Sequence, residues 1–292
     1  MAFTSVSGLL SAARDIPLWQ AVLEHDCQEE GIPREQSLLR MSLLWQGMKD
    51  AAADYDPARR SASGLVGGDA ALVEQSPRPI VGGFLTQVIA TALKTGECNA
   101  CMRRIVAAPT AGSSGVLPAV LLPYQDAYRR SDDEMIQALY VAAGFGQVIA
   151  QRASISGAEG GCQAEVGSAA AMAAAALVHL HGGTPDQMAQ ACAIALKNLL
   201  GLVCDPVAGL VEVPCVKRNV IGAMDALACA ELALAGVQSA IPCDEVIDAM
   251  RAVGAALPSA LRETGTGGLA ATPTGLKAAE CLRSGIPMKK EG

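Results

Sequence analysis

The sequence predicts a mainly α-helical protein, a compact multi-helix domain in which glycine-rich loops surround one functional site. Three observations predict this fold. Apolar residues make up 51% of the 292 residues. From Phe84 onward they recur with helical periods that are broken by short stretches of Gly, Pro, Thr or Ser. Alternating runs of β-branched residues, which would indicate strands, are few.

The chain divides into two predicted parts within a single domain. Residues 1–60 hold both tryptophans and a mixed-charge pattern typical of one or two amphipathic helices. We expect them to form an N-terminal helical segment that packs on the main domain. Residues 61–292 are expected to form that main domain, and its first stretch, 61–83, is rich in glycine and predicts a loop.

Capping residues predict three helix starts. Ser131 precedes Glu134 with the spacing of a capping box, and Thr184 precedes Gln187 in the same way. A third helix is expected to begin near Cys162, after a glycine-rich loop, and to end at the glycines that follow residue 181.

Two of these helices predict a hairpin. A helix over 163–180 is about 27 Å long and one over 185–200 is about 24 Å long. Because only a short turn joins them, they should pack antiparallel and bring Cys162 and Cys204 to the same end. The loop that follows can carry Cys215 to that end as well. The sequence therefore predicts that three thiols converge.

The other cysteines are interpreted mainly as buried apolar side chains. Cys192 and Cys229 lie about 18 Å and 21 Å from the converging thiols, by the rise per residue of a helix. Cys98 and Cys101 form a C-x-x-C pair, which is a weak signal without a second pair. Three more cysteines have no partner in spacing: Cys27, Cys243 and Cys281.

Three converging thiolates indicate a metal site. Zinc would need a fourth ligand, and His179 and His181 lie about 26 Å away, at the far end of the first hairpin helix. An electron-transfer iron–sulfur cluster normally has four cysteine ligands. A [4Fe–4S] cluster with one open iron fits three, and such an iron acts as a Lewis acid. We expect this cluster on Cys162, Cys204 and Cys215.

A second loop is expected to bind an anion. The stretch 109–115 precedes an apolar helical segment, so its amides and hydroxyls can cradle a carboxylate at a helix N-terminus. It lacks the lysine that ends a Walker A loop, so nucleotide binding is not expected. The residues expected to hold the substrate carboxylate are Thr110, Ala111, Gly112, Ser113 and Gly115.

Charged residues flank the cysteines. Lys217, Arg218 and Asn219 follow Cys215 at the expected start of a helix, where positive charge and free amides would face an anionic cluster and an acidic substrate. A plain surface role stays open for Lys217 in particular. Glu159 and Glu165 flank Cys162, and either is a candidate acceptor for groups around the cluster or an ordinary helix cap.

Composition excludes several classes of function. A net charge of −7 leaves no basic face for DNA or RNA. No apolar run is long enough to cross a membrane. The first residues contain no basic region or cleavage site of a signal peptide, so we expect a cytoplasmic protein.

Five stretches resemble one family, the α-chain of the iron–sulfur-dependent bacterial L-serine dehydratases. The most specific element is the spacing C-x41-C-x10-C at Cys162, Cys204 and Cys215, which ligates a [4Fe–4S] cluster in that family. The resemblance covers nearly the whole chain after about residue 60. The stretches are SGLVGGD (63–69), APTAGSSGVLP (108–118), SGAEGGCQAEVGSAAAMAAAALV (156–178), CDPVAGLVEVPCVKRN (204–219) and GGLAATPTGL (267–276).

The resemblance implies an α,β-elimination that converts L-serine to pyruvate and ammonia without pyridoxal phosphate. For this reaction we expect four catalytic residues: Ser113, Ser114, Arg218 and Asn219. The same chemistry acting on L-threonine or L-cysteine is an alternative. A non-catalytic metal-binding or iron-sensing module is a further alternative from a different class.

The resemblance also implies a partner. Members of the family that consist of one long chain carry an additional N-terminal domain, whereas two-chain members have a separate β-subunit. We therefore expect a hetero-oligomer in which a β-subunit supplies the rest of the active site, including the histidines of the substrate pocket. The C-terminal sequence GIPMKKEG contains no cysteine, so the fourth iron is expected to be open.

Overall fold

The predicted hairpin lies at the centre of a helical fold in the computed structural model. The structure describes residues 3–285 and 288, and within them it contains thirteen α-helices and no named strand. The mainly α-helical fold is therefore confirmed. The helices are α1 (Val6–Ala12), α2 (Leu18–Glu30), α3 (Arg34–Ala53), α4 (Asp69–Glu74), α5 (Gly83–Ala100), α6 (Val116–Tyr128), α7 (Asp132–Arg152), α8 (Gly157–Gly160), α9 (Ser168–Leu180), α10 (Pro185–Asn198), α11 (Cys215–Leu234), α12 (Cys243–Ala256) and α13 (Pro273–Arg283).

Helix α9 forms the middle of the core. It packs against α6, α7, α10 and α11. An alanine side chain ends at Cβ, so neighbouring helices can approach α9 closely on every side while it keeps a high helix propensity. Seven of its alanines have no exposed surface: Ala169, Ala170, Ala171, Ala173, Ala174, Ala175 and Ala176.

Two of the predicted helix starts are confirmed. The Ser131 hydroxyl accepts a hydrogen bond from the Glu134 amide at 3.3 Å, and the Glu134 carboxylate accepts the Ser131 amide in return. Thr184 and Gln187 make the same reciprocal pair at the start of α10. The second box fixes the turn of the hairpin, because it sets the residue at which the chain re-enters a helix.

The third start differs from the prediction in its geometry. The stretch Gln163–Gly167 is a π-helix, and regular α-helix begins only at Ser168. Gly161 precedes this stretch with φ of 78°, and a Cβ there would lie 2.6 Å from Leu257 Cδ1. The close approach of Leu257 and the wider π turn together set the direction in which the chain leaves Cys162.

The sequence predicted that the segment 61–83 is a loop. This prediction is wrong in part, because α4 lies within the segment. Gly68 precedes α4 in the left-handed region, with φ of 82°. The Glu97 carboxylate, on α5, accepts hydrogen bonds from the amides of Gly68 and Asp69. A distant carboxylate therefore caps this short helix. The local sequence does not predict the start of the helix, because its N-cap residue, Gly68, has no capping side chain.

The first three helices pack on the rest of the fold. Leu9 and Leu23 are fully buried, and Trp45 is 1% exposed. Helices α2 and α3 both contact α7, and Trp45 Nε1 donates to Asp132 at 2.9 Å. In the part of the chain that the structure describes, no helix is both long and apolar enough to span a bilayer. Most of the C-terminal GIPMKKEG stretch lies outside the described residues.

Candidate active site

Gln163 joins the two chain segments that carry Cys162 and Cys204. Its backbone amide donates to Leu202 O at 3.0 Å, and its side-chain oxygen accepts the Gly201 amide at 2.9 Å. The side-chain nitrogen donates to Gly160 O at 2.9 Å. The segment that leaves the hairpin at residue 201 therefore runs beside the start of the π-helix, and this brings Cys204 to Cys162.

Cys215 reaches the same end as the first residue of α11. The backbone of Val207 donates to Val213 O at 2.8 Å and closes the loop between Cys204 and Cys215. The buried Glu212 carboxylate accepts hydrogen bonds from the hydroxyls of Ser61 and Ser63, which tie this loop to the 61–66 segment. The three cysteines are buried and free.

The three thiols influence one another electrostatically. Burial raises the pKa of Cys162 to about 11 and that of Cys215 to about 12. Burial also raises the pKa of Cys204, and the nearby Cys162 and Cys215 thiols raise it further. Three thiolates can be kept together in this environment only with a compensating positive charge.

Arg218 supplies positive charge at this end of the fold. Its guanidinium donates to Val203 O at 2.6 Å and to Asp205 Oδ1 at 2.9 Å, and its positive charge opposes the rise in the pKa of Cys162. The Arg218 side chain is 12% exposed and that of Asp205 is 5% exposed. Asp205 also accepts the Leu269 amide at 2.8 Å, so it connects Arg218 to the loop 265–269.

The loop 109–115 leads into α6 as predicted, and Asn219 holds it against α11. The Asn219 side-chain oxygen accepts the Gly115 amide at 2.9 Å, and its nitrogen donates to Gly112 O and Cys215 O, both at 2.9 Å. Asn219 is 2% exposed. It therefore fixes the loop relative to Cys215.

Hydrogen bonds within the loop leave one run of amides unused. Thr110 N donates to Ser113 Oγ and Ser114 N donates to Ala111 O. The amides of residues 111–113 have no acceptor among the described residues. Consecutive free amides are the arrangement that binds anions in backbone nests.

Ser113 and Ser114 lie beneath this surface. They are 0% and 1% exposed. The Ser113 hydroxyl pairs with Thr110 Oγ1 at 3.1 Å, whereas Ser114 Oγ is buried and has no partner among the described residues. The geometry thus favours a supporting role for Ser113 and leaves the Ser114 hydroxyl available.

Glu165 lies between the loop and the thiols. Its Oε1 accepts the Thr110 hydroxyl at 2.7 Å, and its Oε2 lies 4.0 Å from Cys204 Sγ. A Cβ at Gly112 would meet Glu165 Oε1 at 2.9 Å, and one at Gly157 would meet Oε2 at 2.7 Å. Burial raises the pKa of the Glu165 carboxyl. Of the two glutamates that flank Cys162, Glu165 contacts the site and Glu159 is exposed.

The remaining cysteines and Lys217 lie elsewhere. Cys192 Sγ and Cys243 Sγ are 3.4 Å apart between α10 and α12, a pairing that their sequence spacing does not indicate. Cys98 donates to Ala51 O. The Lys217 side chain is 75% exposed and pairs with Asp69 at 3.4 Å. It therefore faces solvent, unlike its neighbour Arg218.

Three buried thiols are a donor set that an iron–sulfur cluster can use. Within residues 3–285 and 288, no three His, Cys, Asp or Glu side chains are grouped to hold one metal ion. A cluster binds its cysteines through different irons, so the thiols need not meet around one centre. The three buried thiols with Arg218 beside them match that requirement, since thiolate is the ligand that such clusters use.

Sequence comparisons match one family model and several known proteins. The family model described as "Serine dehydratase alpha chain" matches residues 13–270. The "Probable L-serine dehydratase, alpha chain" of Bacillus subtilis (strain 168) is 57% identical over 218 residues, which cover 74% of this chain and 73% of the relative. The "L-serine dehydratase, alpha chain" of Peptoniphilus asaccharolyticus is 53% identical over 202 residues, 69% of each chain. The "L-serine dehydratase TdcG" of Escherichia coli (strain K12) is 44% identical over 181 residues, 61% of this chain and 40% of the relative.

Proposed function

The chain belongs to the serine dehydratase alpha chain family, and from this premise we propose that it is the catalytic subunit of an L-serine ammonia-lyase. In the proposed reaction the Cα–H and Cβ–O bonds of L-serine break and water leaves. The aminoacrylate that results tautomerises and is hydrolysed to pyruvate and ammonia. The observation that supports this proposal is that the buried thiols of Cys162, Cys204 and Cys215 influence one another electrostatically, while Glu165 links Cys204 to a loop with unused amides.

We expect the three thiols to hold a [4Fe–4S] cluster. When bound, such a cluster supplies a Lewis-acidic iron that makes a hydroxyl a better leaving group. Arg218 balances the thiolate charge, because its positive charge lowers the pKa of the Cys162 thiol against the effect of burial. Asp205 orients that guanidinium through a 2.9 Å contact.

The loop 110–115 is proposed to bind the substrate carboxylate. The free amides of residues 111–113 are the donors, and Asn219 keeps them in place through its bonds to Gly112 O and Gly115 N. Glu165 holds Thr110 at a fixed position relative to Cys204. Glu165 thereby keeps the distance between the loop and Cys204 constant. The reaction requires a fixed distance, because the carboxylate bound by the loop and the leaving hydroxyl belong to the same small molecule.

A β-subunit is proposed to complete the site. Several relatives are named as alpha chains, which supports a second chain. Within this chain, His179 and His181 lie at the opposite end of α9 from the cysteines. The histidines of the substrate pocket are therefore expected from the partner.

Anaerobic reconstitution tests the proposal. The full chain is loaded with iron and sulfide, mixed with the β-subunit and assayed for pyruvate formed from L-serine. We expect Cys204→Ser to lose both the visible absorbance of the cluster and the pyruvate. Cys98→Ser is the matched control, because Cys98 is equally buried and a serine can still donate to Ala51 O. Full turnover by Cys204→Ser would refute the assignment of the cluster.

Substrate preference is tested separately. The ratio of kcat/KM for L-serine, L-threonine and L-cysteine measures how each is stabilised in the transition state. We expect L-serine to have the highest value. A higher kcat/KM for L-threonine or L-cysteine would be consistent with the proposed elimination but would refute L-serine as the preferred substrate.

A further inference from the structure

A cleft with two arginines in its lining lies near the segment that carries Cys162. Its volume is about 330 Å³, and it is bounded by α8, the start of the π-helix, α12 and Arg262. None of the three thiols lines it, and neither does any residue of the loop 110–115. The cleft is thus separate from the proposed substrate site.

Two arginines give this cleft its charge. Arg251 on α12 and Arg262 both line it. Arg262 Nε is buried and has no hydrogen-bond partner among the described residues. A buried donor of a charged group is expected to have an acceptor, and a bound anion would supply one. One carboxylate lines the cleft, that of Glu159, which is exposed.

The lining also contains a free hydroxyl hydrogen. Ser154 Oγ accepts the Ser156 amide at 3.0 Å, so its own hydrogen can point to a ligand. The volume is at the lower end of the range for small-molecule sites. With two guanidiniums against one carboxylate, the lining carries a net charge of about +1, which matches a small monoanion.

We propose that this cleft binds a small carboxylate anion through Arg251 and Arg262, at a site distinct from the one where the elimination is proposed to occur. Arginine is suited to this task because its planar guanidinium pairs with both oxygens of a carboxylate. The proposal concerns binding and does not depend on the proposed activity.

The segment around Arg262 also holds Cys204. The Cys204 amide donates to Leu261 O at 2.8 Å, and the Glu263 amide donates to Cys204 O at 2.8 Å. These two bonds form the isolated bridge between Cys204 and Arg262. Leu261 and Glu263, the two neighbours of Arg262, are therefore hydrogen-bonded to the backbone of Cys204. A ligand that binds Arg262 contacts a segment that is paired with a cysteine of the proposed active site.

Binding to the full chain tests the proposal by isothermal titration at constant ionic strength. Pyruvate is the probe for a monoanionic carboxylate without an amino group, and L-alanine, a zwitterion at neutral pH, is the probe for a carboxylate whose ammonium can face Glu159. We expect at least one of the two to bind with a Kd of about 1 mM or tighter. If L-alanine binds more tightly, the ligand is an amino acid, and if pyruvate does, it is a 2-oxo acid.

Three variants decide where the probe binds. Arg262→Gln is expected to weaken binding about tenfold or more, whereas Arg78→Gln, at an exposed arginine outside the cleft, is the matched control and should leave it unchanged. Because Arg262→Gln could alter the local fold, Ala255→Glu provides a second variant. Ala255 is an exposed residue of α12 that lines the cleft, and a glutamate there should repel the anion without breaking the helix. Absence of binding, or binding that none of the cleft variants weakens, would overturn the proposal.

Discussion

Replacing Asp205 with alanine tests how the candidate site is held together. Asp205 is 4% exposed. Its two oxygens accept the Arg218 guanidinium at 2.9 Å and the Leu269 amide at 2.8 Å. Asp205→Ala leaves a largely buried guanidinium without its counter-ion and a backbone amide without its acceptor.

The expected cost follows from these two losses. Removing one partner of a buried ion pair destabilises a protein by about 3–5 kcal/mol. The loss of the acceptor for the Leu269 amide adds to this cost, whereas the bond that Arg218 keeps to Val203 O reduces it. We therefore expect a total loss of stability near the middle of that range. Asp205→Asn keeps one acceptor oxygen and should cost about half as much.

Equilibrium unfolding in urea, followed by far-ultraviolet circular dichroism, measures the change in the free energy of unfolding. Glu231→Ala is the control, because Glu231 is an exposed residue of α11 and surface substitutions usually change stability by less than about 0.5 kcal/mol. A loss below about 1 kcal/mol for Asp205→Ala would refute the view that Asp205 anchors Arg218 and the loop 265–269.

Three further predictions use the same unfolding assay. Ala174→Leu should destabilise the protein by about 1–3 kcal/mol or more, because Ala174 has no exposed surface and α9 has neighbours on every side. Ser131→Ala should cost about 0.5–2 kcal/mol, since it removes the cap that receives the Glu134 amide. Asp132→Asn should destabilise the protein at neutral pH, and this effect should vanish as the pH falls. Hydrogen bonds from Lys49, Gln125 and Trp45 lower the pKa of Asp132 from 3.8 to about 2, so its stabilisation is present above 3.8 and is lost as the pH falls towards 2.

Each of these has its own control. Ala252→Leu, at an exposed position of α12, should have little effect, and an equal loss from both leucines would contradict the role of close packing. Ser131→Asn retains a capping side chain and should restore most of the stability. For Asp132, an effect of the asparagine variant that stays constant between pH 6 and pH 2, a range of about four units around the shift, would contradict the stated linkage.

Local signals predicted the elements that bring the cysteines together. The two capping boxes are read from residues three apart, and the lengths of the hairpin helices follow from alanine-rich stretches that end at glycine. The predicted hairpin lies at the core, where Cys192 contacts Cys243 and Cys229 contacts Asn198 and Asp225. The assignment of Ser113, Ser114, Arg218 and Asn219 to catalysis stays a prediction.

Contacts between distant parts of the chain could not be predicted in this way. Asp205 meets Leu269, and Glu97 caps α4 from another helix. Neither pair has a spacing that a local rule recognises, because the partners are joined only when the helices have packed. An acidic residue directly after Cys204 was the one sequence signal that could have drawn attention to Asp205.

The alanine-lined surface of α9 limits how this protein can change over time. A larger side chain in the middle of α9 fits only if a facing residue on α6, α7, α10 or α11 becomes smaller at the same time. Substitutions at the core are therefore expected to come in compensating pairs. Residues on the outer faces of α3 and α13 can vary one at a time, so substitutions should accumulate there sooner than in α9.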